Sequence, residues 1–158
     1  MSERNSRDQE YQAVVDYLSR PGEIEKRIQR AKDTILNLRS SLTSISVNLS
    51  DMPKSKGMSK SRIEETLMKI IGLEEELAEL ESERAEVIGD TLENILKIKG
   101  SEEQKVLTEL YLFCKPWERA IRDIGCSIYK FHKLRSKGIA SLAAIIKQTD
   151  AIDEKRSG

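Results

Sequence analysis

The chain has 158 residues, 34% of them charged and 4% aromatic, proportions that suit exposed helices around a modest core and exclude a β-sandwich. Formal net charge is zero, which argues against a non-specific nucleic-acid coat, and two cysteines, Cys114 and Cys126, are too few for a disulfide framework. No apolar run approaches the ~18 residues of a membrane span, and MSERNSRDQE does not read as a signal peptide, so a cytoplasmic location is expected by elimination.

The first ten residues are polar and are expected to fray. Tyr11 to Leu18 fits a short helix with Ala13, Val14, Tyr17 and Leu18 inward, which makes residues 1–20 an N-terminal segment. Ser19-Arg20-Pro21-Gly22 interrupts it, and Pro21 suits the first turn of a new helix, where its missing N–H costs little. From there Ile24, Ile28, Ala31, Ile35, Leu38, Leu42, Ile45 and Leu49 alternate spacings of four and three, an a/d seam held for more than three heptads. The stretch 50–61, SDMPKSKGMSKS, reads as a flexible loop. A second helical pattern runs from Arg62 to Ile98 through Ile63, Leu67, Ile70, Leu73, Leu77, Leu80, Val87, Ile88, Leu92 and Ile95, with a less regular phase. Residues 21–99 are thereby predicted to form a long, coiled-coil-like antiparallel hairpin within an all-α fold. Two narrow seams bury little area, so this region is expected to pack against further helices or a second subunit, the second case making it an oligomerisation region of a homodimer or higher oligomer.

Gly100 suits a left-handed helix cap, and Ser101 with Gln104 fits a capping box for the next helix, SEEQKVLTELYLF. Val106, Leu107, Leu110 and Tyr111 share one face of it. Pro116 forces a break, a short helix follows from Trp117 to Ile124, and Gly125 supplies a turn. Ser127 is a good N-cap for a last helix reaching about Ile146, and the tail 148–158 is expected to be disordered.

Residues 100–147 therefore read as a helix-turn-helix. Trp117, Ala120, Ile121 and Ile124 give its first helix an apolar face, and Phe131, Leu134, Ile139 and Leu142 do so for the second. The candidate base-contacting residues at the start of that second helix are Ser127, Ile128, Tyr129, Lys130 and Lys133. Lys115, Arg119, Arg122, Arg135 and Lys137 are the candidate phosphate contacts. Charge is distributed to match. Lys115 to Lys137 holds seven basic and two acidic residues, net +5, whereas Lys60 to Gln104 holds thirteen acidic and six basic, net −7.

The run Trp117-x-x-Ala120-Ile121-x-x-Ile124-Gly125-x-Ser127-x-x-x-Phe131-His132-x-Leu134 resembles the end of sigma factor region 4. It is most similar to small late-gene transcription regulators of the RinA and ArpU type, from phages of Gram-positive bacteria. The resemblance covers about Leu107 to Leu142; over the hairpin it is architectural only. It implies a DNA-binding transcription regulator of phage origin, active in the bacterial host cytoplasm on late genes, with double-stranded DNA as partner and RNA polymerase as a second contact. Gly138 stands where that group has Ala, Arg119 and Arg122 stand where acidic residues are commoner, and Cys126 and Ile128 replace more polar residues.

Two other classes stay open on the sequence. A small terminase-like packaging subunit also combines a helix-turn-helix with helical hairpins, usually in the opposite order. A protein-binding antirepressor or inhibitor would use a decayed motif. No Gly-rich phosphate loop and no Ser/His/Asp set occurs, and Cys114, Cys126 and His132 lack zinc-finger spacing, so neither enzyme chemistry, cofactor nor metal is expected.

Overall fold

The computed structural model describes residues 2–49 and 56–157. These residues are helical with short connections and no strand: α1 (Ser2–Leu18), α2 (Arg20–Leu49), α3 (Lys56–Ile95), α4 (Ser101–Leu107), α5 (Trp117–Ile124) and α6 (Ile128–Ser157). The chain divides into two compact units, residues 1–23 with 85–158 and residues 24–84, so the boundary falls inside α2 and α3. Among the described residues no helix is long and apolar enough to cross a membrane.

In the unit of residues 24–84 the seam buries Ile24, Ile28, Ala31 and Ile35 of α2 and Ile70 and Leu80 of α3. Leu38 and Leu42 are half-buried; the side chains of Ile45 and Leu49 lie outside the described set. Ion pairs Glu25–Arg84, Lys32–Glu81 and Arg39–Glu74 join the helices in descending register, so α2 and α3 run antiparallel. The expected loop at 50–61 is shorter at its far end, because α3 begins at Lys56; residues 50–55 lie outside the described residues. The seam on α3 also differs in one position: Leu67, expected inward, is exposed.

The other unit is built around Val14, Leu18, Ile95, Ile98, Leu107, Leu112, Ile139 and Leu142. Here α1 differs from expectation. It is helical from Ser2, Ala13 faces outward, and only Val14 and Leu18 are buried. Tertiary packing on α6 orders a polar segment that propensity alone leaves marginal, and Glu10 forms an ion pair with Lys147. The interruption at Ser19 is a single residue, with Ser19 Oγ donating to Val15 O at 2.7 Å. Thr91 is wholly buried but satisfied: its hydroxyl donates to Val87 O and accepts from Arg20 Nη2.

α3 ends at Ile95, and the expected cap is different. Gly100 is extended (φ −82°, ψ 119°), not left-handed, and serves as the N-cap of α4. Gln104 makes no capping box with Ser101. Its Nε2 reaches back to Leu96 O and Ile98 O, satisfying orphan carbonyls at the end of α3. α4 itself passes into a π-helical turn, Thr108–Leu112, where Phe113 N donates to Thr108 O. Cys114 then takes φ 53°, unusual for a residue with a side chain, and its Sγ donates to Tyr111 O. At the other end, α6 does not stop near Ile146. No Gly or Pro interrupts residues 139–157, Lys155 and Arg156 occupy the last turn, and the helix runs to Ser157 in place of the expected disordered tail.

Candidate nucleic-acid interface

The site is built on α5, the turn after it and the start of α6. Pro116 (φ −56°, ψ 145°) precedes α5 as its N-cap, and Ala120 N donates to Pro116 O. Ala120 is fully buried, while Trp117, expected on the inner face, is about half exposed. At the far end Gly125 adopts φ 77°, ψ 38°. An added Cβ there would meet nothing within 4 Å, so the backbone conformation, not space, requires glycine. Gly125 N and Cys126 N both donate to Ile121 O, which closes the turn.

Ser127 then caps α6, its Oγ accepting from Lys130 N at 3.1 Å. Phe131 and Leu134 pack with Val106 and Ala120, flanked by Leu110, Ile121, Ile124 and Cys126. Further along, Gly138 lets α6 approach α4: a Cβ would stand 3.0 Å from Leu107 Cδ1 and 3.2 Å from its Cγ. That contact explains glycine at a helix position where alanine has the better propensity.

With Phe131 and Leu134 turned inward, the opposite side of the first turns of α6 faces solvent. Tyr129 is 78% exposed and Ile128 56%. Lys133 is exposed, and Lys130 is exposed with its Nζ 3.4 Å from Glu102 Oε1. His132 is also exposed and sets its ring edge-on to Phe131, centroids 5.7 Å apart. The structure thus brings Ser127, Ile128, Tyr129, Lys130 and Lys133 together on one helix end.

The flanking cations are not equivalent. Arg122 and Lys137 are exposed. Arg119 is exposed and lies 3.8 Å from Asp123. Arg135 donates from Nε and Nη2 to Tyr111 Oη at 3.0 and 2.7 Å, which fixes it against the π-helical turn. Lys115 departs furthest from its expected role as a phosphate contact. Its ammonium sits between Glu109 and Asp123, with Asp123 Oδ2 at 3.0 Å. Hydrogen bonds to Glu109 and then Asp123 raise the Lys115 pKa. The hydrogen bond from Lys115 holds the Asp123 carboxyl below its ordinary value. This Glu109–Lys115–Asp123 cluster ties the π-helical turn to α5, and no spacing in the sequence announces it.

Comparisons with protein-family models, with curated proteins and with solved structures found no match.

Proposed function

We propose that the protein is a sequence-specific DNA-binding regulator of transcription, in which α5, the Gly125 turn and α6 act as a helix-turn-helix. The observation that carries this reading is the solvent-facing group Ile128, Tyr129, Lys130 and Lys133 at the N-terminal end of a helix whose other side is locked by Phe131 and Leu134. In a helix-turn-helix that end of the second helix meets base edges in the major groove. Lysines there suit guanine O6 and N7, and exposed apolar groups suit the thymine methyl. Arg119, Arg122, Arg135 and Lys137 supply backbone contacts; Lys115 is an internal tie.

The resemblance of Trp117 to Leu134 to phage late-gene regulators supports a role as an activator of late genes in the bacterial host cytoplasm, with RNA polymerase as a second contact. The antiparallel pair α2 and α3 is read as a hairpin that holds two copies on two half-sites. Gel shifts with fragments of the source genome, at two salt concentrations, test the reading. A specific fragment is retained, and its affinity falls steeply with salt. Absence of any salt-dependent binding overturns it in favour of a protein-binding module, and a ring of eight or more subunits in light scattering overturns it in favour of packaging.

A further inference from the structure

The unit of residues 24–84 has two unlike sides. Arg27, Arg30, Thr34 and Glu76 line a groove on one of them. The other carries a groove lined by Leu36, Leu77, Lys32, Arg39 and Glu74. Leu36 is 64% exposed there, and Ile71 and Leu67, three and seven residues before Glu74, continue the same side of α3 at 49% and 45%. Among the described residues of this unit, Leu36, Leu67 and Ile71 are large apolar side chains left in water on this side, and Met68, next to Leu67, is 68% exposed as well, in a unit whose buried seam is a single row on each helix.

The two helices also differ in charge. From Ile24 to Leu49 there are five basic and two acidic residues, net +3; from Lys56 to Arg84 there are five basic and eight acidic, net −3. We infer that the side bearing Leu36, Leu67 and Ile71 binds a second copy of this chain, with α2 of each copy lying on α3 of the other. This deepens, and rests on, the reading of α2 and α3 as the self-associating part.

The charge pattern selects among the two-fold arrangements. A two-fold axis parallel to the helices sets positive α2 over the partner's negative α3, with every neighbouring pair antiparallel. An axis across the helices would set α2 on α2 and α3 on α3, like charge on like. The first arrangement also leaves both copies entering at Ile24 and leaving at Arg84 at the same end of a four-helix bundle. The face measures roughly 35 Å by 20 Å from helix rise and diameter, close to the ~800 Å² per partner of a standard interface. In the register set by Arg39–Glu74 and Lys32–Glu81, Leu36 falls level with Leu77 and Ala78, so the partner's Leu36 side chain would pack at the small, exposed Ala78.

Sedimentation equilibrium of the whole chain tests the inference, with Leu36→Glu and Ile71→Glu introduced together. Both positions are exposed, so helicity by circular dichroism stays at the wild-type value. Wild type is expected at twice 18.0 kDa and the double variant at 18.0 kDa. A wild-type monomer, or a double variant that keeps the wild-type mass, overturns it. Orientation is read by oxidation in a Cys114→Ser, Cys126→Ser background. A mixture of Leu36→Cys and Ala78→Cys chains is expected to cross-link. Cross-linking of Leu36→Cys with itself, and not with Ala78→Cys, would contradict the arrangement. The DNA reading fails separately: a dimer that shows no salt-dependent DNA binding removes that reading and leaves this interface standing.

Discussion

Gly138 of α6 lies directly against Leu107 of α4, close enough that a single added carbon would press on two atoms of a fully buried side chain. Helix propensity alone favours Gly138→Ala by up to ~1 kcal/mol. Leu107 is fully buried among other core side chains, so the crowding is expected to outweigh the propensity gain. Urea unfolding is expected to show Gly138→Ala less stable by about 1 kcal/mol and Gly138→Val by more. A more stable Gly138→Ala would show that α4 and α6 are not held this closely.

Gly125 poses the opposite case, where space is open and the backbone is demanding. Gly125→Ala is expected to cost about 1 kcal/mol through its left-handed conformation, and Gly125→Asn less. Urea midpoints of the two variants check the order. Equal midpoints for wild type and Gly125→Ala would mean that the turn relaxes to another conformation.

The Lys115 cluster gives a pH dependence with a definite sign. Asp123 has a lowered pKa in the folded chain, so its contribution to stability is present above the ordinary value of 3.8 and is lost as pH falls through the folded value. Lys115 has a raised pKa, so its contribution is complete below 10.5 and is lost as pH rises through the folded value. Asp123→Asn is therefore expected to flatten the acid limb of a stability-against-pH curve below about pH 4. An unchanged acid limb would place the acid sensitivity elsewhere.

The same cluster separates the cations by role. Lys115→Ala is expected to lower the unfolding midpoint and to leave the salt slope of DNA binding unchanged, since its charge is already met by Glu109 and Asp123. Arg122→Ala and Lys137→Ala are each expected to reduce that slope by roughly 0.9 per site, with little effect on stability. A loss of slope in Lys115→Ala as large as in Arg122→Ala would count against this division.

Much of the helical organisation was legible because it follows from spacing. The row Ile24, Ile28, Ala31, Ile35 is buried as its four-three alternation implies, and Phe131, Leu134, Ile139 and Leu142 are buried as a helix face. Gly125 and Ser127 announce a turn and a cap by residue type alone. What escaped depends on contacts between distant residues. Glu102 meets Lys130 across 28 positions, and Gln104 turns back to α3 instead of capping its own helix. The π-helical turn adds a residue within TELYL, yet Val106, Leu107, Leu110 and Tyr111 fit an ordinary helix equally well, so periodicity cannot signal it. Polarity alone implies a frayed first ten residues and a disordered tail; α1 is instead held by packing of Val14 and Leu18 on α6, which composition does not encode.

In the proposed regulator the exposed end of α6 enters a DNA duplex. Fluorescence anisotropy with a retained genomic fragment, comparing wild type with Lys130→Ala and Lys133→Ala combined, tests it most directly. Both side chains are exposed, so the double variant should keep its full helicity while specific binding is abolished. Wild-type affinity in a normally folded double variant would show that this end of α6 does not read DNA.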